Sequence, residues 1–118
     1  MQGSMMNMPL QISSLIRHAE RWHGDTEVVS RMIEGGIHRY TYTEAHRRTR
    51  QLANALQALG VKMHDRVGTL AWNGFRHFET YYAVAGMGAR HAPALDGASV
   101  YCLYLRRNPC PRSVARVE

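Results

Sequence analysis

Residues 43–60 read TEAHRRTRQLANALQALG and residues 61–72 continue VKMHDRVGTLAW. In the first stretch Ala45, Thr49, Leu52, Ala53, Leu56 and Leu59 recur every three or four positions, which predicts an amphipathic helix with one apolar stripe. His46, Arg47, Arg50, Gln51 and Asn54 fall mostly off that stripe. Thr43 is placed to cap the helix, Glu44 sits favourably in its first turn, and Gly60 closes it as the residue just past the end. Val61 to Asp65 makes a short polar connection, and Arg66 to Trp72 has the composition of a buried strand. Asn73-Gly74 turns the chain, and Phe75 to Met87 predicts another helix with Phe78, Tyr82 and Ala85 on one side. A helix that feeds directly into a strand and a further helix fits an α/β layer.

Upstream, Ile12, Leu15, Ile16, Ala19 and Trp22 repeat at helical spacing, and Gly24 stops the pattern. Thr26 to Met32 and Ile37 to Tyr42 are extended stretches joined by Glu34-Gly35-Gly36, a hairpin signal. Ile37, Arg39 and Thr41 alternate with His38, Tyr40 and Tyr42 across its two faces. The order is therefore helix, β-hairpin, helix, strand, helix. Residues 1–8, with Met1, Met5, Met6 and Met8 separated by small and polar residues, are expected to be a disordered leader. The character changes again after Ala89. Residues 90–118 hold three of the four prolines and both cysteines. Within them Ser99 to Leu105 is strand-like without an evident partner, and the stretch from Cys110 to Arg116 reads as polar coil. An irregular tail over 90–118 is the expectation.

The 118 residues suffice for one domain, and 45% apolar with 20% charged residues is too apolar for a wholly disordered chain. No window offers the roughly 18 consecutive apolar residues of a membrane span, and Met1 to Leu10 lacks the features of a secretory signal. Two cysteines, Cys102 and Cys110, make no disulfide framework, so a reducing, cytoplasmic setting is expected. The net charge of +6 divides evenly, +3 over residues 1–89 and +3 over the shorter 90–118, which concentrates it in the tail. Fourteen of the 15 basic residues are arginine, and no aromatic-basic interleaving accompanies them, so a nucleic-acid surface is not expected.

The candidates for chemistry each have a plainer explanation. The seven histidines, His18, His23, His38, His46, His64, His77 and His91, form no His-Glu-x-x-His pair and lie far from zinc-finger spacing to the cysteines. They read as scattered surface histidines. Gly35-Gly36 lacks the frame of a phosphate loop, and Gly86-Met87-Gly88 follows a helix where a dinucleotide site needs a strand. Arg47, Arg48 and Arg50 could touch phosphates, but a solvated helix face accounts for all three. Asp65 beside Arg66 reads as a structural loop residue. No catalytic, cofactor-binding or metal-binding residue is assigned.

Taken together, Tyr40-Thr41-Tyr42-Thr43-Glu44, Leu52-Ala53-Asn54-Ala55-Leu56, Leu59-Gly60-Val61 and Asp65-Arg66-Val67 resemble, in order and spacing, the opening of the adenylate-forming superfamily of AMP-dependent synthetases and ligases. Glu27-Val28-Val29-Ser30-Arg31, Ile37-His38-Arg39, Leu70-Ala71-Trp72-Asn73-Gly74, Arg76-His77 and Tyr82-Ala83-Val84 with Gly86-Met87-Gly88-Ala89 narrow the resemblance to bacterial medium- and long-chain fatty-acyl-CoA ligases. It covers roughly Met8 to Ala89. Two departures stand out. Met63-His64 occupies the place where that family usually has a glycine before Asp-Arg-Val, and Arg90-His91-Ala92-Pro93 replaces the family's apolar strand and Asn-Pro-Arg turn.

The resemblance implies an α/β fold, an incomplete N-terminal piece of the adenylate-forming large domain, with residues 9–89 as its start and 90–118 as a non-family tail, possibly frameshifted. It implies a family reaction in which ATP and magnesium activate a fatty acid to an acyl-adenylate before transfer to coenzyme A. The phosphate loop, the ribose-binding acid and the catalytic lysine of that family have no counterpart here, and Lys62, the sole lysine, sits in the wrong context. The expected function is thus a fragment of a fatty-acid–CoA ligase, inactive alone and needing no cofactor of its own. Severed strand edges and apolar faces would also leave it poorly cooperative in thermal unfolding. The alternatives are a small basic module binding an anion or nucleic acid, and a fragment that joins an oligomer through its N-terminal region.

Overall fold

The apolar stripe at 45–59 forms helix α2 (Tyr42–Ala58), with Ala45, Thr49 and Leu56 buried and Leu52 and Ala53 packed beside them. Its start differs from expectation by two residues. Thr41 is the cap, its hydroxyl accepting from the Glu44 N–H at 3.3 Å. Thr43 instead donates its hydroxyl to the Gly24 carbonyl at 3.1 Å, tying α2 to the end of α1 (Ile12–His23). A threonine three residues before a glutamate is the capping-box spacing, and it selects Thr41. Gly24 follows α1 with ordinary right-handed φ of −54°, so left-handed freedom is not its role. A Cβ there would lie 2.7 Å from both the Glu20 carbonyl oxygen and the Thr43 hydroxyl. Close approach of two chain segments fixes glycine at this site.

A computed structural model describes residues 7–94, 102–106 and 113–116. Residues 1–6 of the expected leader, Ser99 to Tyr101 of the strand-like run and Cys110 to Arg112 of the expected coil lie outside them. Strands β1 (Glu27–Arg31) and β2 (Ile37–Thr41) form the expected antiparallel hairpin, with Glu27 opposite Thr41 and Arg31 opposite Ile37. Gly35 and Gly36 both adopt φ near +90°, which a side chain would resist. The buried face is the one carrying His38 and Tyr40, packed on Phe75, while Val29 and Ile37 are exposed. Among the described residues no helix is long and apolar enough to cross a membrane.

Strand β3 (Arg66–Leu70) ends two residues before expectation, and α3 (Phe75–Gly86) carries the chain to β4 (Arg90–Ala94). β3 and β4 pair in parallel, Arg66 opposite Arg90, which completes a β-α-β unit. Both helices leave through the same device. At the end of α2, Gly60 has φ of 88°; its N–H donates to the Gln57 carbonyl at 2.9 Å and the Val61 N–H to the Leu56 carbonyl at 3.0 Å. At the end of α3, Gly88 has φ of 71°, and Gly88 and Ala89 donate to Ala85 and Val84, both at 3.1 Å. Each is a Schellman motif, and in each the apolar residue after the glycine joins the core beside the helix residue it bonds. Leu56, Val61, Val67, Ala83, Val84 and Ala89 make that one core, with Leu56, Val67 and Val84 fully buried.

Three expectations are corrected. The buried face of α3 holds Phe75, Glu79, Ala83 and Val84, with Phe78 and Tyr82 only half-buried. The stripe 75-79-83 was passed over because its middle residue is charged. Trp22 and Leu15, expected to face inward, are 68% and 60% exposed, and only Ile16 of α1 is buried. Finally, the tail has regular structure. β4 lies on β3 despite Pro93, which is tolerated because β4 is the edge of the sheet order β4-β3-β5-β6. β5 (Cys102–Arg106) pairs antiparallel with β3, and β6 (Ser113–Arg116) pairs antiparallel with β5. Such pairing is set by a distant backbone partner, so local composition did not reveal it.

His64 occupies the place where a glycine was anticipated, and it is the one described non-glycine residue with positive φ, 69°. Its backbone is held there at both sides: its N–H donates to the Gly88 carbonyl at 3.0 Å, and next to it Asp65 closes a turn on Lys62. A left-handed conformation costs a side-chain-bearing residue about 1–2 kcal/mol, part of which glycine returns as unfolded-state entropy. His64→Gly should therefore stabilise the chain by about 0.5–1 kcal/mol. Gly60→Ala should destabilise it by about 1 kcal/mol or more. Urea denaturation followed by far-UV circular dichroism checks both, and a destabilised His64→Gly would contradict the strain.

Candidate functional site

Polar groups converge where α2, α3 and the hairpin meet. Glu79, only 6% exposed, is buried on the inner face of α3 and is clamped by Arg48 from α2, with Nε to Oε1 at 2.6 Å and Nη2 to Oε2 at 3.3 Å. The guanidinium also lies 5.6 Å from the centre of the Phe75 ring, and Arg76 covers that ring at 4.9 Å. His38 stacks on Phe75 with ring centres 3.9 Å apart. The Phe75 N–H, unpaired within its own helix, donates to the Ser30 hydroxyl at 3.0 Å and so pins the start of α3 to β1. Tyr40 and Thr49 complete the cluster, and their hydroxyls, with His38 Nε2, have no hydrogen-bond partner among the described residues.

The electrostatics hold the cluster in one protonation state. Burial, with the Glu79 carboxylate nearby, pushes the Tyr40 phenol well above its ordinary range, so it stays protonated. Glu79 holds the Arg48 guanidinium even more firmly charged than usual. A carboxylate whose two oxygens are both taken by one guanidinium is a poor general base. Arg48 is thus not part of a solvated arginine face, as expected from sequence; Arg47 and Arg50 are. Three further acidic side chains are engaged: Glu20 with His46 at 2.6 Å, Glu27 with Arg39 at 2.8 Å, and Glu34 with Arg76 at 3.0 Å. Its own backbone and Arg76 together hold the Glu34 carboxyl below its ordinary value.

Asp65 is a turn staple. Its carboxylate accepts from the Lys62 N–H at 2.9 Å, its own N–H donates to the Lys62 carbonyl, and its carbonyl accepts from Arg90 at 2.8 Å. The histidines are less superficial than expected. His18, His23 and His64 are exposed, but His38, His46, His77 and His91 are packed inside, where imidazole serves as a flat, half-polar filler. His77 on α3 and His91 on β4 have ring centres 5.4 Å apart, and His91 Nε2 lies 2.8 Å from the Thr69 hydroxyl. Among the described residues no three histidines, cysteines or acids gather at metal-binding distance. The side-chain engagements above give magnesium no paired carboxylates, and the described turns contain no phosphate-cradling loop. The residues present do not fit an ATP–magnesium group, and no step is derived through one.

The profile of the AMP-binding enzyme family matches residues 15–100. The chain belongs to that family. The match extends beyond Ala89, across β4. Curated relatives include the 3-methylmercaptopropionyl-CoA ligase of Ruegeria lacuscaerulensis, 50% identical over 88 residues, and the medium-chain-fatty-acid–CoA ligase of Ectopseudomonas oleovorans, 48% identical over 88 residues. The long-chain-fatty-acid–CoA ligase of Thermus thermophilus is 48% identical over 87 residues. These alignments take in about three-quarters of this chain and 16% of each relative. The chain spans a small part of the enzymes it matches. Among solved structures, the fatty acid AMP ligase of Legionella pneumophila superposes with a TM-score of 0.63 at 20% identity, covering 75% of this chain and 16% of that one. That likeness supports the fold: an α/β segment of an adenylate-forming ligase.

The Arg48–Glu79 pair can be tested as structure. Arg48→Ala strands a buried carboxylate and should cost about 2–3 kcal/mol, whereas Arg48→Ala combined with Glu79→Leu should recover much of that loss. A double-mutant cycle by urea denaturation measures it, and additive losses would show that the two side chains do not act together.

Proposed function

We propose that the chain is the opening segment of a CoA ligase for a fatty or comparably aliphatic carboxylic acid, and that it supplies scaffold without any catalytic group. The observation that carries this is identity of 48–50% to three CoA ligases over nearly the same number of residues, in a segment whose one buried acid among the described residues, Glu79, is paired with Arg48. In the whole-ligase reaction the carboxylate displaces pyrophosphate from ATP to give an acyl-adenylate, and the coenzyme A thiol then displaces AMP. The present segment would contribute neither the phosphate-binding lysine nor the acids around magnesium. Fatty acid, ATP, magnesium and coenzyme A are accordingly partners of a complete ligase and not of this chain alone. A cytoplasmic setting fits such chemistry.

The sequence after Gly88-Ala89 departs from the family's motif, and a shifted reading frame in arginine-rich coding DNA accounts for a tail of this composition. The strands β5 and β6 do not oppose this, because strand pairing is available to any extended apolar run. Strand β4 runs to Ala94, beyond the boundary expected at Ala89.

Two measurements test the proposal. The purified chain should show ATP–pyrophosphate exchange no higher than blank with short-, medium- or long-chain fatty acids; exchange clearly above blank would place catalytic groups within it. Resequencing the coding DNA across codons 85 to 120 and translating all frames should show one frame that resumes an apolar strand, an Asn-Pro-Arg turn and the downstream phosphate loop. If no frame does so, the tail is native and the ligase assignment of the chain loses its continuation.

A further inference from the structure

We propose that His77 and His91 form an acid-sensitive latch that releases strand β4 from α3 and β3 while the helical layer stays folded. The geometry is specific to this pair. His77 lies in the first turn of α3 and His91 on β4, with rings edge to face at 5.4 Å, and Tyr81, one turn after His77, packs edge-on to His91 at 5.6 Å. From β3, Thr69 meets His91 Nε2 at 2.8 Å. The Nδ1 atoms of both rings are buried and unpartnered among the described residues. The arrangement accommodates two neutral imidazoles, and beyond the Thr69 hydroxyl at His91 Nε2 it gives the protonated rings no acceptor for their Nδ1–H groups among the described residues.

The surroundings make protonation costly. On α3 the facing groups are His77 and the neutral phenol of Tyr81; Glu79 points to the opposite side, where Arg48 takes both its oxygens. On β3 the contact is the Thr69 hydroxyl, and the charged residue of that strand is Arg66, paired in register with Arg90 of β4. Among the described residues no carboxylate reaches the two rings. The amino end of α3 adds its own positive dipole next to His77. Burial lowers the pKa of both rings below the ordinary 6.5, and His91 is lowered further by the charge of His77. Released into water, each ring would regain an ordinary value, so release takes up protons. Above pH 7 this linkage contributes nothing. As pH falls through 6.5 it favours release, because the released rings take up protons that the packed rings refuse.

The strand that gives way is β4 because it is the edge of its sheet, bonded to β3 alone among the described strands. The turn before it is anchored independently, through the Gly88 and Ala89 N–H groups on α3 and through the Gly88 carbonyl, which accepts from the His64 N–H. Opening at Arg90 therefore leaves the Leu56–Val67–Val84 core in place. This device does not depend on the ligase assignment, since it uses only the histidines and their packing.

Amide hydrogen exchange of the full chain at pH 7.5 and 5.5, each amide corrected for its intrinsic rate, tests the latch. Protection in β4 should fall more than protection in Leu52–Leu56 of α2, by up to about tenfold per histidine. The His77→Gln, His91→Gln double variant should lose that difference. Equal loss in β4 and α2 would mean global unfolding and overturn the proposal, as would a β4-specific loss that persists in the double variant. Should the double variant not fold, NMR titration of the ring protons in the natural chain decides. Both rings titrating below 6.5 with β4 signals changing in step supports the latch, and either ring titrating at or above 6.5 refutes it.

Discussion

Everything in this segment hangs on two helix ends that close over one strand. Leu56 with Val61 and Val84 with Ala89 are bonded and packed in the same way, and Val67 fills the space between them. A Schellman turn sets both the direction in which the chain leaves a helix and the apolar contact it makes on leaving. With two such turns aimed at one core, the approach to β3 and the approach to β4 are both fixed, and parallel pairing of those strands follows. The loop from Lys62 to Asp65 must then fit between ends that cannot move. Strain at His64 is the consequence: its backbone is taken into the left-handed region because the Gly88 carbonyl and the Asp65 staple leave it no other path.

A second layer of order comes from charge placed where apolar contact would be expected. Glu79 sits one turn from Phe75 and one from Ala83 on the inner face of α3, and only the forked guanidinium of Arg48 makes that position tolerable. Such a pair adds little net stability over a well-packed apolar pair, but it permits only one rotational setting of α3 against α2. The same region pins the start of α3 to β1 through Ser30, so hairpin and helix are registered together. What resembles an active-site cluster in composition is therefore a locking device between elements.

The legible parts of the fold were those whose cause is local. Gly60 announces its left-handed turn, Gly35-Gly36 announces the hairpin, and the 45–56 stripe announces α2, because each follows from the residues within a few positions. Thr41 is less legible than Thr43 as the cap because both threonines stand near the helix start, and the Thr43 hydroxyl is diverted only by its contact with Gly24, 19 positions away. Glu79 was illegible for a different reason: its burial depends on Arg48, 31 positions away. The partners of β5 and β6 were equally nonlocal. At the histidines the difficulty was chemical, since imidazole can serve as a surface base or as an interior ring, and sequence spacing does not distinguish His18, which is exposed, from His91, which is packed.

The distribution of exposure bears on what the segment is. Its interior is well made, with Ala45, Val67 and Val84 wholly excluded from water. Its outside is not that of an independent domain: Leu15, Trp22, Val29 and Ile37 are each more than half exposed, on the outward faces of α1 and the hairpin. Isolated surface apolar residues are ordinary, but repeated exposed apolar positions on two elements are not. The helical spacing that puts Leu15 and Trp22 on one stripe with Ile16 is not an accident of composition. It reports an environment that the described residues do not supply, and a segment spanning 16% of its relatives' length is where such a mismatch between a finished core and an unfinished surface arises.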